Sequence, residues 1–225
     1  MNVYLEQYYE KFHKYLLDFD KDKALHYSLT LLSDGKVSIQ ELYEHIITPS
    51  LNNITIDRDE EDHDIWKEHM MTNIVRTIIE CVYPYVAKER EKFIQQDNGK
   101  RVMVLCPEEE YHEIGARMGV DFFTMTGYNV FYIGCNTPKD NFIHAYNELK
   151  PDIIAISITN YLNLVSLKKI IKDIKDQVNN KVMLLICGSA FIHTKTTAKD
   201  FGADQLVCTY NDILSLRRDD NVTGI

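Results

Sequence analysis

The chain has 225 residues, 45% of them hydrophobic, and a formal net charge of −9; this is enough apolar material for one large domain or two small ones, and it excludes a disordered chain. The acidic balance lacks the basic footprint that neutralises phosphates, so no direct contact with nucleic acid is expected. The opening stretch MNVYLEQYYEKFHKYLLDFDKDK is charged throughout, which excludes a signal peptide or membrane span there and leads to the expectation of a cytoplasmic protein.

From the start to residue 95 the apolar residues recur at helical spacing, as in Tyr4, Tyr8, Phe12, Tyr15 and Leu16. Breaks at residues 18–20, at Asp34-Gly35 and along the polar run 57–64, with a Ser38 to Glu41 capping box, predict four helices near 2–17, 21–33, 38–52 and 62–92. On the fourth, Ile65, His69, Thr72 and Arg76 form a line beside an expected apolar face of Met70, Ile74, Ile78 and Cys81. QQDNGK at 95–100 has no apolar residue and carries an Asn-Gly turn signal, which suits a domain boundary.

After it the rhythm changes. Short apolar runs at 102–106, 130–133, 153–158, 182–187 and 205–208 alternate with helical segments, the sequence form of repeated βαβ units. The expected architecture is an all-α domain (1–95), a four-helix bundle, followed by an α/β domain (100–217) with a flavodoxin-like, Rossmann-type doubly wound sheet of five parallel strands, and a polar tail (218–225). The five cysteines, Cys81, Cys106, Cys135, Cys187 and Cys208, are odd in number and without a CxxC pair, and read as buried thiols rather than as a disulfide framework or zinc site.

Open parallel sheets bind ligands outside the carboxyl ends of their strands. After the first run stands Pro107-Glu108-Glu109-Glu110-Tyr111-His112-Glu113-Ile114-Gly115; after the third, Ser157-Ile158-Thr159-Asn160; after the fourth, Gly188-Ser189; at the fifth, Gly202-Ala203-Asp204. An imidazole suits a transition metal of intermediate softness, and a carboxylate two residues earlier is placed to orient the ring through its other nitrogen. A lone histidine after a strand is more often only a loop residue, so the motif by itself is weak.

The set in this order resembles the cobalamin-binding domain of methionine synthase, of corrinoid methyl-carrier proteins and of light-sensing regulators that use adenosylcobalamin. The resemblance implies that Glu110-x-His112-x-x-Gly115 supplies His112 as lower axial ligand to cobalt in place of the displaced dimethylbenzimidazole, with Glu110 behind it. Ser157, Thr159, Gly188 and Ser189 would then contact the nucleotide tail. Ser189 departs from the family's second glycine there.

The helical half resembles the four-helix cap of methionine synthase and of the light-sensing regulators, which implies that Glu68 and His69 face the upper ligand. Arg58 stands where the photoreceptors carry a tryptophan, and Asp59 where at least some carry a histidine, so light sensing is separable from cobalamin binding. The resemblance favours a regulatory or sensory cobalamin-binding protein that is not an enzyme on its own, with light as a candidate signal. The alternative is a corrinoid methyl-carrier subunit. The cofactor form (adenosyl-, methyl- or hydroxocobalamin) and homo-oligomerisation are left open, and the expected protein partner is a transcription regulator or a methyltransferase.

Overall fold

The computed structural model describes residues 3–53, 61–96, 99–178, 182–191, 194 and 196–223. The chain divides into two compact units, Met1–Val86 and Ala87–Ile225. In the helical unit, α1 (Val3–Leu17) packs against α2 (Lys21–Ser33). Asp20 caps α2 by accepting from the Lys23 amide at 3.0 Å, satisfying one of the donors a helix start leaves over. The predicted capping box forms at Ser38 and Glu41.

The third predicted helix is three pieces: α3 (Ile39–Glu41), a π-helical stretch (Leu42–Ile47) and α4 (Thr48–Asn52). Pro49 is the physical reason. It has no N–H for the His45 carbonyl, and its ring would crowd that turn, so the backbone widens and the Thr48 amide reaches back to the Tyr43 carbonyl instead. Inside this unit Phe12, Leu16, Leu42, Tyr43, Ile46 and Ile47 are completely buried.

Helix α5 (Glu61–Arg90) buries Met71, Ile74, Val75, Ile78, Ile79 and Val82. The expected apolar face is therefore out of phase by one residue: Ile74 and Ile78 belong to it, but Met70 and Cys81 are exposed.

The second unit is a five-stranded parallel sheet in the order β2-β1-β3-β4-β5, built from β1 (Arg101–Pro107), β2 (Asn129–Thr137), β3 (Ile153–Ser157), β4 (Met183–Cys187) and β5 (Gln205–Val207). Helices α6 (Ile114–Met125), α7 (Lys139–Leu149), α8 (Leu164–Gln177), α9 (Ala198–Phe201) and α10 (Tyr210–Thr223) connect and follow the strands. β1 and β3 are apolar and buried almost throughout because both faces of the sheet are covered. One core joins Met103, Leu105, Ile154, Ile156, Leu184 and Ile186 of the strands to Phe142, Leu167, Ile171 and Phe201 of α7, α8 and α9.

The order reverses at β1, so the loops after β1 and β3 leave in opposite directions and open a crevice between them. Residues 218–223 of the polar tail are helical and continue α10. Among the cysteines only Cys106 is buried outright; Cys135 and Cys187 are half-buried, and Cys81 and Cys208 are exposed, which corrects the expectation of five buried thiols.

Candidate functional site at the carboxyl edge of the sheet

β1 ends at Pro107, and the chain turns at once: the Glu110 amide donates to the Pro107 carbonyl at 3.0 Å, with Glu109 in the left-handed region at φ +67°. Asn136 of β2 fixes this turn from the side. Its Oδ1 accepts from the Glu109 amide at 2.9 Å, and its own amide donates to the Glu110 carbonyl at 2.9 Å.

The turn drives the Glu110 side chain inward until it is completely buried. A bare carboxylate there would be costly, and five N–H groups offset the cost. Oε1 accepts from the His112 amide at 3.1 Å and lies 2.7 Å from His112 Nδ1. Oε2 accepts from the amides of Thr159 (3.0 Å) and Asn160 (2.9 Å) and from Asn163 Nδ2 (3.1 Å). Burial pushes the carboxyl up, but the bonds from the His112 ring, the Asn160 and His112 amides and the Asn163 side chain outweigh it and hold the group at about 2.

An ionised carboxylate can only accept, so His112 Nδ1 carries a proton towards Glu110, and Nε2 is the ring atom left to offer a lone pair to a metal. The His112 side chain is 46% exposed while its partner is sealed. The arrangement is an oriented imidazole presenting Nε2 outward from a rigid anionic anchor. Among the described residues no group of three or more His, Cys, Asp or Glu is placed to hold a metal ion.

The ends of β3 and β4 form the other side. Ser157 pairs in register with Cys187 and is 1% exposed, with its hydroxyl beside the Cys187 thiol. Thr159 takes part through its backbone amide, on Glu110. Gly188 has φ +110°, and a Cβ on it would stand 2.2 Å from the Ile158 carbonyl oxygen, so only glycine fits. Ser189 follows in a 3-10 turn, half-buried. Gly115, the second residue of α6, has open space where a Cβ would be.

Of the residues singled out in the sequence, Glu110, His112, Gly115, Ser157, Thr159, Gly188 and Ser189 all fall on this one edge. Glu68 and His69 belong to α5 of the helical unit, His69 exposed and Glu68 half-buried. Arg58 and Asp59 lie outside the described residues. Asn136, Asn160 and Asn163, which hold Glu110 and its loop, were not anticipated; the Asn-x-x-Asn spacing after the third strand was the available signal.

The B12 binding domain family matches residues 100–214. The trimethylamine corrinoid protein 1 of Methanosarcina acetivorans is 24% identical over 207 residues, covering 89% of this chain and 90% of that protein. The structure of the Methanosarcina barkeri monomethylamine corrinoid protein has the same fold, with a TM-score of 0.77 at 11% identity over 95% of this chain and 98% of that one. Neither is a light-sensing regulator or a methionine synthase, and the regulatory, photoreceptor and transcription-partner readings gain no support from them.

Proposed function

We propose, from the premise that the chain belongs to the B12 binding domain family, that it is a corrinoid methyl carrier that works with a methyltransferase partner. The observation that carries this reading is the end-to-end likeness, through both units, to a chain that is itself called a corrinoid protein. It favours the carrier over the regulator first drawn from the sequence.

The residues at the edge of the sheet fit the cofactor. His112 would ligate cobalt through Nε2, with Glu110 fixing tautomer and ring plane. The buried Ser157 hydroxyl would serve the nucleotide tail, with Ser189 beside it and Thr159 lending its side chain while its amide holds Glu110. Gly115 leaves room for that tail at the start of α6, and Gly188 keeps the ends of β3 and β4 close together. The corrinoid, when bound, supplies a cobalt centre able to accept and release a methyl group. The protein's share is to bind it, to fix the tautomer and orientation of the axial imidazole through an acceptor that stays ionised, and to present the loaded cofactor to the partner. Glu68, His69 and Arg58 are assigned to the upper side of the cofactor on the strength of the resemblance to cobalamin-binding caps.

The test is to load the protein with hydroxocobalamin and with methylcobalamin. A base-off, His-on spectrum is expected, and His112→Ala should lose it. Mixed with a methyltransferase of a methylamine system and a thiol as methyl acceptor, the methylcobalamin complex should give up its methyl group stoichiometrically to the thiolate and be left as cob(I)alamin, with methylated amines as the first donors to try for remethylation. A spectrum unchanged in His112→Ala refutes the ligand. Absence of methyl transfer, together with a light-induced change in oligomeric state of the adenosylcobalamin complex, would return the regulatory reading.

A further inference from the structure

His112 is flanked by two buried carboxylates, and only the upstream one belongs to the sequence motif. The other is Glu113, 8% exposed. It is the residue just before α6, yet its side chain caps no backbone N–H of that helix. It reaches sideways instead. Oε2 accepts from the Tyr132 hydroxyl of β2 at 3.1 Å and lies 3.0 Å from Arg117 Nε in an ion pair, while the Arg117 guanidinium stands over the Tyr132 ring, 5.3 Å from its centre.

Two further facts give this triad a direction. Burial pushes the Tyr132 phenol up, as do the neighbouring Cys106 thiol and Glu113, so the hydroxyl remains a donor to Glu113 across the working pH range. The first of two register slips between β1 and β2 falls directly after the Val104 and Tyr132 pair, and slips of this kind re-aim side chains beside sites. Cys106, whose thiol burial also raises, lies 3.8 Å from the His112 carbonyl as its donor. The His112 peptide is thus tied by its amide to Glu110, by its carbonyl to β1, and through the next residue to β2.

An ion pair with a buried carboxylate and a quarter-exposed guanidinium is an expensive way to hold a helix start; apolar side chains of similar size often serve stability as well. What the triad adds is position. We infer that Glu113 is a positioning residue for the axial histidine, held by Tyr132 and Arg117 so that the height of His112 above the sheet edge is set from β2, independently of the Glu110 anchor. The inference rests on His112 being the cobalt ligand.

The test is electron paramagnetic resonance of the cob(II)alamin-loaded full chain, where an axial imidazole splits the cobalt lines through its nitrogen. Tyr132→Phe keeps the ring under Arg117 and removes only the hydroxyl. It should lower the nitrogen-split fraction at least threefold, and Glu113→Ala should do the same. Glu113→Gln keeps an acceptor oxygen for Tyr132 and should recover most of the signal. Should Glu113→Ala fail to fold, Tyr132→Phe decides alone. Full splitting in Tyr132→Phe, with only a lowered thermal midpoint, would make the triad a mere structural support and overturn the inference. A wild-type spectrum without nitrogen splitting would instead overturn the ligand reading on which it rests.

Discussion

Replacing Glu110 by Gln keeps the size of the side chain, removes its charge and points an NH2 group into a ring of donors. The carboxyl is completely buried and held at about 2 from an ordinary 4.5, which corresponds to about 3 kcal/mol of stability at neutral pH. The sign follows from the depressed value: the contribution is whole above about pH 4.5 and is lost as pH falls towards 2. Glu110→Gln should therefore destabilise the apoprotein by about 3 kcal/mol at pH 7, with the gap to wild type shrinking to about half of that at pH 3. Urea unfolding at both pH values, followed by a probe placed in the α/β unit, measures it. A variant as stable as wild type at pH 7, or a gap that does not narrow in acid, would refute the account of Glu110 as an ionised, donor-saturated anchor.

Gly115→Ala should move two measurements in opposite directions: a gain of about 0.4–1 kcal/mol in the apoprotein, because the added methyl meets no atom and only restricts the unfolded chain, and weaker cobalamin binding by titration, because that space belongs to the proposed tail. Gly188→Ala, with φ +110° and a 2.2 Å clash with the Ile158 carbonyl, should cost upwards of about 3 kcal/mol and be read as a large fall in thermal midpoint or as insoluble protein. Arg217 is 1% exposed, its guanidinium has no hydrogen-bond partner among the described residues, and it stands over the Tyr128 ring. Arg217→Met should raise the thermal midpoint or leave it unchanged, since the lost ring contact of about 1 kcal/mol is offset by relief of a buried charge; a marked fall would show that the cation is held by more than the ring.

The strands were legible because apolar runs bounded by turn residues have few other uses, and the edge residues followed once the strands were placed. What escaped depended on partners distant in the chain. Glu113 reads as an ordinary helix-start carboxylate until Tyr132, 19 residues on, is brought across by the slipped register of β2. The Asn163 bond to Glu110 spans 53 residues and leaves only the Asn-x-x-Asn hint. On α5 the adjacent Met70 and Met71 offer two helical phases of equal hydropathy, 100° apart, and periodicity cannot choose between them. The π-helical stretch was foreshadowed by Pro49, but a proline in a helical pattern signals only that the ladder must adapt, not how.

The Glu110 anchor has a consequence for protein engineering. Its carboxylate is shared between the segment that carries the histidine and the Thr159 to Asn163 segment, which supplies three of its five donors. The two segments are not separately exchangeable parts. A histidine loop grafted from another member of the family would arrive without the donors shaped for its acid, and a graft of the second segment alone would strand Glu110 with an unbalanced charge. Chimeras that move both together, with Asn136 as the third piece, are the ones expected to fold, and the unit of inheritance at this edge is the pair of loops.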